Sequence, residues 1–546
     1  MSYQIPADAR AAASVLLLRD TDAGIQVLML RRAEREGDMR SGAAVFPGGV
    51  LDPRDRHAHR CVVGADDAAW SARLGLHEGG LDYAVAALRE CFEEVGLLLA
   101  DRPVDLAVAT PWRDRLQNGE VAAAEFCDAL GFAFDVSGLH YWSHWLTPPR
   151  SPKRFDTRFF VARAPAGQEA VADYGEAVEL MWLTPAEAVH ADRGLKLLPV
   201  TRHTLNDLAR FADVEAALAH AAGLREIRRI LPRRATSANG PRVVLPDELP
   251  YAEVGRLDPE GHGNAFADLL PGRAVRLSPR IVRVTAPNPG VMTGPGTNSY
   301  FVGDPQADAW ALIDPGPADD VHLAALRAAA PGTVRWVLAT HTHVDHSPGC
   351  VAAAAAFGAT VLGRLPLHAH GQDATFAPAR QPEHGERLVL GPGATLRAFH
   401  TPGHASNHLC WLLEEEKLLF TGDHVMQGST VVINPPDGDM AAYLRNLNAL
   451  LAEDISWFAP GHGFLVAQPH DVLRALIAHR LRREDKVVKA LQPRGSATLD
   501  ELLPDVYADT PPRLHPVARR SLLAHLLKLQ EDGRAVDEGE GRWRWA

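Results

Sequence analysis

The sequence predicts a multidomain α/β protein, and three observations carry that expectation. At 546 residues the chain exceeds what one hydrophobic core organises, since domains run to about 100–200 residues. Apolar runs of strand length alternate with helical stretches in both halves. Between the halves, residues 232–278 are rich in Pro, Gly, Arg and Asp with little periodicity, the composition of a linker. The expected divisions are therefore 1–231, the linker 232–278, 279–470 and 471–546.

Taken in order, Ser14–Leu18 and Val27–Leu30 are apolar runs joined by a polar Asp-Thr-Asp-Ala-Gly turn and predict a hairpin. Pro47-Gly48-Gly49 marks a turn, and a helix is expected from Tyr83 to about Ala100. Strand-like pieces at Phe155–Ala162 and Ala177–Leu183, then helices, lead to Ile230. In the second half, Trp310–Ile313, Trp336–Ala339, Thr360–Leu362 and Lys417–Thr421 read as strands, and Ala352–Ala356 as a tightly packed helix. The last 75 or so residues predict helices followed by a terminal hairpin, the pattern of a small winged-helix unit.

The composition excludes some classes. With 46% hydrophobic and 23% charged residues the chain is an ordinary globular one, and its net charge of -12 supplies no global attraction to nucleic acid or anionic membrane. Its five cysteines are scattered and odd in number, which fits a reducing compartment. No run reaches membrane-spanning length, so a cytoplasmic protein without membrane partners is expected.

The segment Thr340-His341-Thr342-His343-Val344-Asp345-His346 packs three imidazoles and a carboxylate into six positions. Mixed N and O donors of this kind suit a catalytic zinc. Thr401-Pro402-Gly403-His404, Thr421-Gly422-Asp423-His424 and Pro460-Gly461-His462-Gly463 each add one ligand-type residue in a Gly-rich turn, bringing the total to seven donors. By contrast His57-Ala-His59 and His368-Ala-His370 lack a following Asp-His and read as surface pairs. His408 and His424 read as packing or hydrogen-bonding neighbours of the ligands.

The order HxHxDH, TPGH, GD, GHG resembles the metallo-β-lactamase superfamily of binuclear hydrolases. The resemblance implies an αβ/βα sandwich in which His341, His343 and His404 hold one Zn²⁺, Asp345, His346 and His462 a second, and Asp423 bridges, with Asp345 also catalytic by orienting the attacking hydroxide. Water bridging two zinc ions has a pKa of about 7 or lower, and the same cations polarise a carbonyl or phosphoryl oxygen. Gly294–Tyr300, Phe420–Met426, Thr430–Ile433 and His479-Arg480 followed by Arg483-Glu484 are similar to the beta-lactamase-like protein 2 branch, which has a winged-helix-like tail and includes a single-strand RNA endonuclease.

Arg89-Glu90-Cys91-Phe92-Glu93-Glu94-Val95-Gly96-Leu97 is the other chemical segment. On a helix Glu90, Glu93 and Glu94 share one face, and three like charges call for a positive partner such as Mg²⁺. With Gly42-x-x-x-Phe46-Pro47-Gly48-Gly49 upstream, the segment resembles the Nudix box, which implies an α/β/α sandwich that cleaves diphosphates. By that resemblance Glu90, Glu93 and Glu94 hold Mg²⁺ or Mn²⁺, Glu90 and Glu94 act in catalysis, and the Gly49 carbonyl adds a ligand. An insertion from Pro53 to Asp82 separates the glycines from the Arg-Glu pair, leaving Glu78 and Asp82 as candidates for the missing first acid. That insertion, with Trp145–Pro148 and Arg154–Phe160, resembles the peroxisomal coenzyme A diphosphatase group.

The expectation is a bifunctional metal-dependent hydrolase. Its zinc centre would cleave an ester, thioester or phosphodiester, and its Nudix site a coenzyme A-like or nucleotide diphosphate. A coenzyme A-type diphosphatase and an acyl thioesterase would make a coherent pair. One alternative is a zinc ribonuclease with single-stranded RNA as partner, gripped by Arg480, Arg482, Arg483, Lys486, Lys489, Arg519 and Arg520, the Nudix domain serving as a ligand-binding module. The other is a non-enzymatic sensor with a nucleic-acid-binding winged helix. Oligomeric state is not encoded in any of these motifs.

Overall fold

The computed structural model describes residues 3–34, 41–173 and 177–546. The chain forms two compact units. The first runs to Arg234 and takes in Pro241–Pro246 and Glu260–Gly263; the second holds Ala235–Gly240, Asp247–Pro259 and Asn264–Ala546.

The first unit is built on a mixed sheet with Ala9–Thr21 at its centre. That strand turns into antiparallel Gly24–Arg32, the predicted hairpin, and pairs in parallel with Arg154–Arg163. Alternation sends Val15, Leu17, Leu28 and Leu30 to one face and Leu16, Leu18, Val27 and Met29 to the other. Both faces therefore need a cover of helices. The helix Gly80–Val95 covers the first with Val85, Leu88, Phe92 and Val95, and stops at Val95 rather than near Ala100. Helices Pro199–Leu208 and Val214–Gly223 cover the second. The product is an α/β/α sandwich. A short strand, Gly48–Val50, pairs with Ala12–Ser14 and pins the glycine turn beneath the carboxylate helix.

The second unit holds two six-stranded sheets, one spanning Ala274 to Leu362 and the other Arg387 to Ala467. Their inner faces share a core in which Tyr300, Val302 and Ile313 meet Leu396, Trp411 and Phe420. Helices Asp320–Ala329 and Gly349–Phe357 back the first sheet, and Met440–Leu450 backs the second. This is an αβ/βα sandwich. Beyond it, helices Pro469–Leu491, Leu499–Val506 and His515–Glu531 pack with the strands Ser496–Thr498, Ala535–Gly539 and Arg542–Trp545 around Leu502, Leu522, Leu526 and Trp543, a winged-helix arrangement. Among the described residues no helix is long and apolar enough to cross a membrane.

Residues 232–278, expected as a linker, carry more structure than their composition suggests. The strand Ala274–Ser278 is the edge of the first six-stranded sheet, and Tyr251–Leu257 is a helix. Seven residues make only two turns, too few for a hydrophobic period to show. From this helix Glu253 accepts bidentate hydrogen bonds from Arg283 at 2.7 and 2.8 Å, both side chains being 1% exposed. It also accepts the N–H of Leu465 at 2.8 Å, three residues past His462. Removing one partner strands a buried charge, whereas replacing both with apolar groups does not. Glu253→Ala is therefore expected to lower the unfolding free energy of the second unit by about 3–5 kcal/mol in urea, and a Glu253→Leu, Arg283→Met pair to recover most of it.

Candidate metal centre

All seven donors lie in loops that follow strands of the two facing sheets. His341, His343, Asp345 and His346 follow Val334–Leu338; His404, Asp423 and His462 follow Ala394–His400, Leu418–Gly422 and Trp457–Pro460. They fall into two groups, His341 with His343 and His404, and Asp345 with His346, Asp423 and His462; within each group the donor atoms lie within 4.8 Å of one another. In the first, His343 Nδ1 stands 2.9 Å from His341 Nε2 and 3.0 Å from His404 Nε2. In the second, Asp345 Oδ2 and Asp423 Oδ1 lie 3.3 and 3.4 Å from His462 Nε2 and both 3.5 Å from His346 Nε2. Asp423 spans the two groups, its other oxygen lying 3.7 Å from His404 Nε2.

The outer atoms of the imidazoles fix which nitrogen faces inward. His404 Nδ1 donates to the Val432 carbonyl at 2.8 Å, and His462 Nδ1 to the Gly296 carbonyl at 3.2 Å. A carbonyl can only accept, so each Nδ1 carries a proton and each Nε2 is the ring nitrogen turned to the centre. His346 Nδ1 lies 2.9 Å from Asp314 Oδ2, and Asp314 also accepts the N–H and hydroxyl of Thr340, both at 2.7 Å. Asp314 was not singled out in the sequence, although its place at a strand end in Ile313-Asp314-Pro315-Gly316 is a signal of the same kind as the others.

The interior of the site asks for cations. Among the described residues His346 Nε2, His462 Nε2 and Asp423 Oδ1 are buried with no hydrogen-bond partner, although such groups are costly to leave unpaired. Burial pushes His341 well below the usual imidazole range and His343 down to about 3, so both present neutral nitrogens. Burial would also raise the acids, but His462 and His346 outweigh it and hold Asp423 well below the carboxylate range. Against the effect of burial, the facing carboxylates raise His346 well above the usual imidazole range and His462 to about 9. The second group thus holds protons that a divalent metal, which takes neutral imidazole and ionised carboxylate, would displace. The seven residues fit two such ions, three donors to one, three to the other, and Asp423 between.

Of the neighbours, His408 Nε2 accepts the Asp423 N–H at 3.2 Å, and His424 packs its ring 5.0 Å from that of Tyr443. His57, His368 and His370 are exposed, and His59 is bound to Asp82 at 2.7 Å. Gly461 permits the closest approach in the site: a Cβ there would stand 2.7 Å from His346 Cε1 and 2.9 Å from Asp423 Oδ1. Gly461→Ala is expected to weaken divalent-metal binding by about tenfold or more while far-ultraviolet dichroism stays unchanged, as metal titration of the stripped protein would show.

The carboxylate helix of the first unit is arranged differently. Arg89, not a bare cluster of acids, occupies its centre. The guanidinium donates to Asp55 at 2.8 and 3.2 Å, to Glu90 at 2.9 Å, to Glu93 at 3.0 Å and to the Val50 carbonyl at 3.1 Å. Part of the positive charge that the three glutamates require is thus supplied within the chain. Glu94 turns instead to the Gly48 N–H, at 2.8 Å. Among the described residues Glu90, Glu93 and Glu94 do not gather into a third donor group like the two above. Gly49 lies against Glu90, where a Cβ would come within 2.3 Å of the carboxylate.

The acid facing the Arg-Glu pair is Asp55. Glu78 is exposed and 3.8 Å from Arg56, and Asp82 is bound to His59. The sequence concealed Asp55 because it lies at the very start of the insertion, six residues after Gly49, on the short helix Pro53–Cys61. Asp55→Ala is expected to cost the first unit about 2–3 kcal/mol in urea unfolding and Asp82→Ala under about 1 kcal/mol, reversing the order the sequence suggests.

Comparison with known proteins agrees with this architecture. Residues 292–462 match the family description "Metallo-beta-lactamase superfamily", 77–199 "NUDT19 Nudix domain" and 498–543 "Beta-lactamase associated winged helix domain". An atrochrysone carboxyl ACP thioesterase of Aspergillus chevalieri is 34% identical over 289 residues, 49% of this chain and 87% of that protein. The chain belongs to the metallo-beta-lactamase superfamily. The lactamase-like protein vrtG of Penicillium aethiopicum is 33% identical over 50% of this chain and 88% of its own length. The beta-lactamase-like protein 2 homolog of Drosophila melanogaster is 29% identical over 49% and 92%. The protein is a metal-dependent hydrolase in which a Nudix domain precedes the metallo-beta-lactamase and winged-helix domains.

Proposed function

We propose that the metallo-beta-lactamase domain is a binuclear zinc thioesterase and the Nudix domain a Mg²⁺- or Mn²⁺-dependent diphosphatase acting on a coenzyme A-like or nucleotide diphosphate. The observation that carries the first part is Asp423, whose two oxygens face two separate donor groups. Similarity to proteins named as acyl carrier protein thioesterases supports an acyl thioester as substrate.

His341, His343 and His404 would hold one ion, Asp345, His346 and His462 the other, and Asp423 both. Ions in these positions supply a water of lowered pKa and a Lewis acid for the acyl oxygen. The chain's own groups do the rest. Asp345 is the most exposed of the second group and lies 3.3 Å from His462 Nε2, placing a carboxylate at the cleft to orient the attacking water and take its proton. The Val432 and Gly296 carbonyls keep His404 and His462 from rotating, so the inward nitrogens are aimed before substrate arrives. In the Nudix domain Glu90 and Glu94 are the proposed catalytic groups. With Glu93 and the Gly49 carbonyl they would supply an all-oxygen donor set of the kind a hard cation takes, once drawn together around it.

Support for single-stranded RNA as partner is thin at the residues that reading needs. Arg480 is buried. Arg483 and Lys486 both bind Asp509 at 2.7 Å, Lys489 binds Asp485 at 2.6 Å, and Arg519 binds Asp500 at 2.8 Å.

Two variants separate the activities. Asp423→Ala is expected to lower acyl-coenzyme A hydrolysis by about a thousandfold, the loss of several kcal/mol of charge stabilisation, and to leave diphosphate cleavage intact. Glu94→Ala should do the reverse on coenzyme A and nucleotide diphosphates. Unchanged thioester hydrolysis in Asp423→Ala would refute the binuclear assignment.

A further inference from the structure

The segment His479-Arg480 lies outside both the 292–462 and the 498–543 family matches, yet its arginine is 4% exposed. Among the described residues no carboxylate lies within 4.0 Å of its guanidinium, and its Nε has no hydrogen-bond partner. Burying a cation in this way is expensive unless its contacts compensate. Among the described residues the guanidinium makes one hydrogen bond and one aromatic contact, and both lead to the metal centre.

The first is a hydrogen bond from the guanidinium to the Val431 carbonyl. The next carbonyl along the chain, that of Val432, accepts from His404 Nδ1. Arg480 thus anchors the peptide that sets the tautomer and the direction of a proposed ligand. Residues around Val431 form no helix or strand, so no backbone ladder would otherwise hold this peptide in place. The second contact is with Tyr443, whose ring centre is 5.5 Å from Arg480 Cζ. The Tyr443 hydroxyl donates to the His424 carbonyl at 3.0 Å, one residue past Asp423. On the same helix, one turn on, Glu484 accepts from Lys528 at 3.1 Å, and the buried His525 lies 3.7 Å from it, which ties this turn to the helix His515–Glu531.

We infer that Arg480 is a positioning residue for the metal centre: through the Val431–Val432 peptide it holds His404, and so makes the C-terminal helical domain part of the hydrolytic apparatus. The inference rests on the reading of His404 as a metal ligand. It also absorbs a motif whose basic character suggested phosphate binding. The guanidinium is spent on a main-chain carbonyl and an aromatic face, and is closed to a phosphate.

The test is zinc affinity and stoichiometry of the full chain, measured by competition with a chromophoric chelator, for wild type, Arg480→Met, His404→Ala and the winged-helix core variant Leu526→Ala. Arg480→Met should bind one of its two ions about ten- to a hundredfold more weakly, with kcat lowered and KM within about twofold of wild type. His404→Ala should lose one equivalent, and Leu526→Ala should keep both although its thermal stability falls. A second measurement needs no variant: zinc removal from the wild-type protein should raise amide exchange both in 430–434 and in 478–484. Wild-type zinc affinity in Arg480→Met, with one equivalent lost in His404→Ala, would overturn the positioning role alone. Two tight ions in His404→Ala would overturn the ligand reading beneath it. If Arg480→Met does not fold, the exchange measurement decides, and unchanged exchange in 478–484 on zinc removal would overturn the inference.

Discussion

Ring nitrogens and carboxylate oxygens turned toward one another in a buried space repel or go unpaired unless a cation lies between them, and the second unit is organised around that constraint. Folding the two sheets face to face brings four loops to one edge and buries His346 Nε2, His462 Nε2 and Asp423 Oδ1 with no hydrogen-bond partner among the described residues. Each is costly alone, because a buried polar atom loses its water and gains nothing. Two divalent ions would satisfy all three and relieve the contact of about 3 Å between His343 and its neighbours in the same stroke. The outer hydrogen bonds to Val432, Gly296 and Asp314 suit that arrangement, since each fixes the back of an imidazole so that its front is aimed inward.

The same logic explains why distant segments matter. Glu253 holds the loop after His462 through the Leu465 N–H, while Asn298 binds the Pro460 and Gly463 carbonyls on either side of that histidine. Such supports are individually ordinary hydrogen bonds. Their value lies in restricting loops that carry no regular structure of their own, where a displacement of about 1 Å can cost much of the rate.

The seven residues that cluster here were readable in the sequence because each sits in a short local motif, HTHVDH, TPGH, GDH or GHG, in which turn and ligand-type side chain are adjacent. The supports were not. Asp314, Glu253 and Arg480 act on partners 32, 30 and 49 residues away, and nothing in their own neighbourhoods announces the pairing. The strands of the hairpin Ala9–Arg32 and the C-terminal helices were visible from periodicity, while Tyr251–Leu257 was too short to be. In the Nudix domain the carboxylate helix stood out, while the share of its charge that Arg89 balances from within the chain did not. Asp55 was hidden by distance, since the insertion parts it from its partner by 34 residues.

The central claim is that one pair of ions completes a single centre built by all seven donors. The most direct measurement is the rate of thioester hydrolysis by metal-stripped protein as zinc is added back. The account predicts a rate that rises to a plateau at two equivalents per chain, with X-ray absorption showing nitrogen and oxygen donors and no sulfur. Full activity in the stripped protein, or a zinc spectrum dominated by sulfur, would contradict it.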